Sequence, residues 1–159
     1  MVSISTENFL KQVYHLIYDD HEEVLSSKLA KRLGISNAAI TDMARKMEKG
    51  GYIEYRPYKP IRLTESGKRI ALIVIRRHRL WELFLSRVLG LGMDEVHDEA
   101  EQLEHQTSEF LIEKIDAYLG HPGFDPHGDP IPDSNGALPQ TMGIKLADGE
   151  MNMAYKVVR

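Results

Sequence analysis

The chain has 159 residues, a formal net charge of −4, 42% hydrophobic residues and no cysteine. The hydrophobic fraction is large enough for a packed core, and the absence of cysteine excludes disulfide bridges, thiolate zinc sites and thiol catalysis. No apolar run approaches the roughly 20 residues of a membrane-spanning helix, and the first residues lack the basic and apolar blocks of a signal peptide. These features predict a cytoplasmic protein without a membrane partner.

Positive and negative charges are separated along the chain. Residues 1–79 contain 15 Lys and Arg against 9 Asp and Glu, whereas residues 80–159 contain 5 against 15. This separation predicts one surface for a polyanion and another for cations, with chance clustering as the alternative.

The first part of the chain has the pattern of a helix-turn-helix. Helical spacing of apolar residues from Phe9 to Ile17 predicts a first helix, with Ser5 or Thr6 as its cap. Residues 25–36 predict a short helix ended by Gly34, and residues 37–49 predict the next helix, capped by Ser36. An ordinary corner between two helices of a bundle has the same spacing, so these elements alone leave both interpretations open.

Two β-prone runs, 52–55 and 61–64, follow the second of these helices. The turn between them, 56–60, contains two prolines and two positive charges. A strand pair directly after a helix-turn-helix is typical of a winged helix. Arg56 and Lys59 at its tip could then neutralise DNA phosphates, and Tyr58 could pack against a sugar.

The later helices carry grouped histidines and carboxylates. The apolar pattern predicts helices over 68–89 and 93–106 and a last one ending near residue 119. One group, with spacings of i, i+4, i+7 and i+8 on a single helix face, consists of His97, Glu101, Glu104 and His105. A second group, with i, i+4 spacing, consists of His78 and Glu82. Imidazole nitrogens and carboxylate oxygens are ligands of divalent transition metals, so the pattern predicts metal binding. For any single pair, a surface ion pair is the alternative.

Several common catalytic motifs are missing from the sequence. It contains no His-Glu-x-x-His and no Gly-x-Ser-x-Gly, and the break at Gly90 and Gly92 follows no predicted strand. We therefore expect that the protein is not an enzyme.

The chain resembles the diphtheria toxin repressor family of metal-dependent transcriptional regulators, including its manganese-transport regulator branch. The resemblance runs from about Ser5 to Pro132. It is carried, in order, by residues 5–10 (STENFL), 33–36 (LGIS), 47–52 (MEKGGY), 63–67 (LTESG), 77–82 (RHRLWE), 97–105 (HDEAEQLEH) and 126–132 (PHGDPIP).

The resemblance implies a mainly α protein with an N-terminal winged helix-turn-helix and a small β-hairpin wing. An α-helical dimerisation and metal-binding domain would follow. The expected boundaries are 1–66 for the DNA-binding domain, 67–120 for the helical domain and 121–159 for a linker rich in proline and glycine with a short C-terminal tail.

The resemblance further implies a homodimer that binds double-stranded operator DNA as a repressor when loaded with Mn²⁺ or Fe²⁺, the divalent metal acting as co-repressor. By position, a primary site would use Asn8, Glu101, Glu104 and His105, and an ancillary site would use His78, Glu82 and His97. Iron-type members carry cysteine at the position of Glu101. A carboxylate there is the harder ligand, which favours Mn²⁺. An ion joining Asn8 to the other primary ligands would fix the angle between the domains. Without it, the acidic face would repel itself and the winged helices would move freely.

Two departures from the family pattern affect these expectations. Manganese-type members place carboxylates at the positions of Asn8 and Lys11. A protonated lysine cannot be a ligand and repels a dication, so we expect two separated sites in place of a closely spaced pair of ions. Many members also carry a small β-domain after the linker. About twenty residues follow it here, so we expect an ancillary site that is open or completed by water.

The helix at 37–49 is expected to enter the major groove. Ser36, Asn37, Ala39, Thr41 and Asp42 would lie nearest the bases, and Arg45, Lys46, Arg56 and Lys59 would contact phosphates. Three other classes remain open at this point. They are a winged-helix regulator that senses an organic ligand, a metal-dependent enzyme and a winged-helix module that binds proteins.

Overall fold

The computed structural model describes residues 2–139. These residues form helices α1 (Ile4–Tyr14), α2 (Ser26–Leu33), α3 (Asn37–Lys49), α4 (Glu65–Leu89), α5 (Met93–Leu103) and α6 (Glu109–Tyr118), with strands β1 (Ile53–Glu54) and β2 (Arg62–Leu63) between α3 and α4. A π-helical turn, His15–Asp19, extends α1. Within residues 2–139, every helix is too short or too polar to span a membrane.

Helices α2 and α3 form the predicted helix-turn-helix. Gly34 ends α2 in the left-handed conformation at a φ of 66°, which a residue with a side chain adopts only with strain. Ser36 caps α3, because its side-chain oxygen accepts a hydrogen bond from the amide of Ala39. At α1 the predicted cap was wrong. The side chain of Ser3 accepts a hydrogen bond from the amide of Thr6, and the helix therefore begins at Ile4, two or three residues earlier than the predicted caps imply.

The wing is an antiparallel pair of two-residue strands, in which Ile53 lies opposite Leu63 and Glu54 opposite Arg62. It is shorter than the predicted β-prone runs. The start of α4 packs directly on it, and Gly67 makes this approach possible. A Cβ added to Gly67 would lie 1.9 Å from the carbonyl oxygen of Tyr52.

Helix α4 belongs to two hydrophobic cores. Its first half, through Ala71, Leu72 and Ile75, joins the core formed by α1, α2, α3 and the wing. Further along α4, Leu80 and Leu83 pack with Ile112 and Ile115 of α6 in a second core. The division between the cores therefore falls inside α4, beyond the predicted domain boundary at residue 66. A continuous helix connects the winged half, which contains the first core, to the helical half, which contains the second.

The segment after α6 folds back over α4. Asp125 accepts hydrogen bonds from the amides of His127 and Asp129 at 2.8 and 2.9 Å. Arg79 of α4 donates to the carbonyl of Pro130 at 2.6 Å. These contacts hold residues 124–130 beside the middle of α4. The end of the predicted C-terminal segment, residues 140–159, lies outside the described residues.

Candidate metal centre and DNA-binding face

Side chains from α1, α4 and α5 meet in one polar cluster. Phe9, Leu10 and Val13 of α1 are fully buried, and on α5 Val96 and Ala100 are fully buried. Because these apolar residues fix each helix along one face, their polar neighbours come together between the helices. The cluster contains the residues that the sequence predicted as two metal sites.

The predicted ancillary residues lie in mutual contact. Nε2 of His78 is 3.0 Å from Oε1 of Glu82 and 3.2 Å from Nδ1 of His97. Nδ1 of His97 is 3.1 Å from the same Glu82 oxygen. His78 and Glu82 are buried, whereas the His97 side chain is 58% exposed. The three donors therefore form a triangle that is open to solvent on the side of His97.

Three of the four predicted primary residues also meet. Nε2 of His105 lies 2.8 Å from Oδ1 of Asn8 and 3.1 Å from Oε1 of Glu104. Glu104 is completely buried. Because Asn8 belongs to α1 and the other two residues follow one another directly after α5, this contact joins the winged half to the helical half.

Glu101, the fourth predicted primary residue, lies between the two groups. Its Oε1 is 3.8 Å from Nε2 of His97 and 3.9 Å from Nδ1 of His78. Ligand atoms of Glu101, His78 and His97 all lie within 4.8 Å of one another. The structure therefore places Glu101 near the ancillary group as well as beside Glu104.

Lys11 occupies the middle of the cluster. Its ammonium is 2.6 Å from Glu101 and 2.8 and 2.9 Å from the two oxygens of Glu104. The ammonium is also 3.4 Å from Nδ1 of His78. The side chain is only 3% exposed. The acidic residues of α5 thus face a positive charge supplied by α1.

His78 connects the two groups. Its Nδ1 is 2.6 Å from Oε2 of Glu104, and its Nε2 contacts Glu82. Burial lowers the pKa of His78, but hydrogen bonds to these two carboxylates outweigh it, so that the pKa is raised above 6.5.

Two carboxylates of the cluster, Glu82 and Glu101, have pKa values that favour the ionised form. Burial raises the pKa of Glu82, but hydrogen bonds with His78 and His97 and the charge of His78 bring it down to about 2. The pKa of Glu101 is lowered, since the hydrogen bond and charge of Lys11 outweigh burial. Ionised carboxylates and imidazoles are the donors that Mn²⁺ or Fe²⁺ requires.

Sequence reasoning did not assign Glu7, Asp125 or His127 to the cluster. Oε2 of Glu7 is 2.6 Å from Nδ1 of His105. Nε2 of His127 is 3.8 Å from Oε1 of Glu82, on a segment that Asp125 shapes. A signal for each was present in the sequence, since Glu7 adjoins Asn8, and Asp125 and His127 lie in or beside the linker segment 126–132.

The predicted DNA contacts lie outside the cores. All are exposed except Ala39 and Thr41, which are half-buried; the exposed ones are Ser36, Asn37, Asp42, Arg45, Lys46, Arg56 and Lys59. A cavity of about 500 Å³ lies between the start of α2, the outer face of α3 and the wing tip. Asn37, Thr41 and Arg45 line one side of it and Lys59 the other. Helix α3 and the wing tip thus line one cavity with polar and basic side chains.

A separate apolar surface lies on the helical half. Phe110 and Tyr118 of α6 are 74% and 69% exposed, and Leu89 at the end of α4 is 59% exposed. The ring of Tyr118 lies 6.1 Å from that of Phe84, which joins α6 to α4 across this surface. Large exposed apolar side chains on two neighbouring helices are typical of an interaction surface.

Comparison with known proteins finds a matching family domain for each half of the chain. Residues 1–61 match the iron dependent repressor N-terminal DNA binding domain, and residues 64–133 match the iron dependent repressor metal binding and dimerisation domain. The iron-dependent repressor IdeR of Mycobacterium tuberculosis is 34% identical over 128 residues, covering 80% of this chain and 55% of that protein.

Two further proteins extend the comparison. The diphtheria toxin repressor of Corynebacterium diphtheriae is 29% identical over 161 residues, covering 96% of this chain and 70% of the relative. A solved manganese-dependent transcriptional repressor in complex with manganese superposes with a TM-score of 0.81 at 40% identity, covering 91% of this chain and 66% of that one. The chain spans about half the length of the mycobacterial repressor. With both domains matched in order, this chain belongs to the iron-dependent repressor family.

Proposed function

We propose that the protein is a metal-dependent transcriptional repressor of metal-ion homeostasis in the cytoplasm. It binds operator DNA as a homodimer when loaded with Mn²⁺, with Fe²⁺ as the alternative. The observation that carries this proposal is the contact of Asn8 on α1 with His105, which in turn contacts Glu104 directly after α5. It places candidate ligands of one ion on both halves of the molecule.

The donor atoms fit Mn²⁺ or Fe²⁺. The primary site would take the amide oxygen of Asn8, the carboxylates of Glu101 and Glu104 and the imidazole of His105. The ancillary site would take His78, Glu82 and His97, with His127 as a further imidazole on the open side. Oxygen and imidazole nitrogen without thiolate is a donor set that suits these ions. A divalent ion would supply concentrated positive charge to several of these donors at once.

Helix α1 connects the candidate metal-ligating residue Asn8 to helix α3 of the DNA-binding domain. Asn8 adjoins Phe9 and Leu10, which are buried in the same core as Ile40 and Ala44 of α3. A shift of Asn8 relative to His105 therefore moves α3 as part of one packed unit. In this way α1 links the occupancy of the primary site to the orientation of α3.

The apolar surface on α4 and α6 supports the homodimer. Burying Phe110, Tyr118 and Leu89 against a second copy would remove exposed apolar area from water. A two-fold arrangement would present two α3 helices about one DNA turn, roughly 34 Å, apart. Contacts from α3 would then read bases, and Arg45, Lys46, Arg56 and Lys59 would neutralise phosphates.

The test is selection of binding duplexes from a random-sequence pool with Mn²⁺ present. Affinity for a selected duplex is then measured in Mn²⁺ and in EDTA, for wild type and for His105→Ala. We expect wild type to bind at least about ten-fold more tightly in Mn²⁺ and the variant to lose most of this gain. The exposed His21→Ala serves as a matched control and should behave as wild type. Equal binding of all proteins in Mn²⁺ and EDTA would overturn the proposal.

A further inference from the structure

Lys11 is a buried cation placed at the junction of the two halves. It belongs to α1, one turn from Asn8, and its ammonium lies within 2.9 Å of two carboxylates of α5. Its aliphatic neighbours along α1, Leu10 and Val13, are fully buried in the first core. A charge on the DNA-binding core is thus inserted among acidic groups of the helical half.

The carboxylates need a positive partner. Glu104 has no exposed surface, and a buried carboxylate without a counter-charge is strongly unfavourable. Lys11 gives its hydrogen bonds to Glu104 and Glu101, and these are two of the oxygen donors assigned above to the primary ion. An ammonium and a divalent ion would repel each other at this distance, so full contact of both with the same oxygens is unfavourable.

We propose that Lys11 and the divalent ion are alternative partners for Glu101 and Glu104. In the metal-free protein the Lys11 ammonium neutralises these carboxylates and ties α1 to α5. When an ion binds, Lys11 gives up its contacts to it. The proposal rests on the proposed function, and it replaces the expectation that the acidic face repels itself without metal. The DNA-binding half is instead held on the helical half by an internal cation.

This role differs from that of an ordinary buried lysine in its dependence on metal. A lysine that only filled space would stabilise the metal-free and metal-loaded protein equally. A lysine that competes with an ion for the same carboxylates stabilises the metal-free protein more than the metal-loaded protein. Its removal leaves the ion as the positive partner of these carboxylates, without competition from the ammonium.

The experiment compares wild type with Lys11→Met, which keeps an unbranched side chain only one atom shorter and removes its charge. Lys31→Met, at an exposed position of α2, is the control. Thermal unfolding is followed in EDTA and in saturating Mn²⁺, with hydrogen–deuterium exchange of α1 in EDTA and calorimetric titration with Mn²⁺.

We expect Lys11→Met to unfold at least about 5 °C below wild type in EDTA and to exchange faster along α1. Saturating Mn²⁺ should raise its Tm more than it raises that of wild type. The variant should also bind Mn²⁺ about ten-fold more tightly, because the internal competitor is gone. If Lys11→Met folded only in the presence of Mn²⁺, this result would also support the proposal.

Equal destabilisation in EDTA and Mn²⁺, failure to fold in both, or an unchanged Tm in EDTA would overturn the proposal. The comparison in EDTA involves neither DNA nor metal. If Mn²⁺ had no effect on DNA binding by wild type, the proposed function would fail while the Tm difference in EDTA was still measured.

Discussion

The substitution Glu104→Gln removes one charge from the centre of the polar cluster and keeps the shape of the side chain. Glu104 accepts two short contacts from Lys11 and lies 2.6 Å from Nδ1 of His78. It is also 3.1 Å from Nε2 of His105. The substitution leaves Lys11 with Glu101 as its one carboxylate partner among the described residues.

The expected loss is large because Glu104 is completely buried. Removing one partner of a buried ion pair costs about 3–5 kcal/mol, compared with roughly 5–15 kcal/mol for the whole stability of a typical domain. An exposed pair is worth about 0–1 kcal/mol. Glu22, which pairs with Lys28 at the surface, therefore provides a matched Glu→Gln control.

Urea denaturation in EDTA, followed by circular dichroism, measures both losses. We expect the free energy of unfolding to fall by about 3–5 kcal/mol for Glu104→Gln and by at most about 1 kcal/mol for Glu22→Gln. If the two variants were destabilised equally, the assignment of the cluster as a buried, charge-balanced junction would be refuted.

Three further predictions concern the wing, the pH dependence and DNA affinity. Gly67→Ala should destabilise the protein by about 1–3 kcal/mol in urea denaturation, since its Cβ would meet the Tyr52 carbonyl; a gain in stability from helix propensity would contradict this. Although burial opposes it, hydrogen bonds to two glutamates raise the pKa of His78 above 6.5. The stability that protonated His78 contributes without metal is therefore full below pH 6.5 and is lost as the pH rises through the raised pKa. Over the same range the affinity for Mn²⁺ should rise, because the metal binds the neutral imidazole. A Mn²⁺ affinity that stayed constant with pH in calorimetry would contradict this prediction. Arg45→Ala should weaken binding to all duplexes alike and lower the slope of log affinity against log salt by about 1, and an unchanged slope would exclude a phosphate contact.

The local elements could be predicted because each has a local cause. Ser36 and Thr64 precede helices that they cap, and Gly34 ends α2 in the left-handed conformation. Hydrophobic spacing then gives the helices their buried faces. The cap of α1 was missed because Ser3, Ser5 and Thr6 are all suitable cap residues, and the choice among them depends on where α1 packs.

The long-range contacts of the cluster could not be predicted from spacing. Glu7 and His105 are separated by 98 positions, and Lys11 and Glu104 by 93. The sequence showed that Lys11 is unsuitable as a ligand, but its placement between Glu101 and Glu104 follows from the packing of α1 and α5 against α4. His127 reaches Glu82 only because residues 124–130 fold back over α4.

The central claim is that metal binding and DNA binding are coupled through α1. The most direct test is the affinity of wild type for Mn²⁺, measured by calorimetry with and without a saturating selected duplex. Coupling is reciprocal, so DNA should tighten Mn²⁺ binding by the same factor by which Mn²⁺ tightens DNA binding, at least about ten-fold, and His105→Ala should abolish both effects. Identical Mn²⁺ affinities with and without DNA would contradict the account.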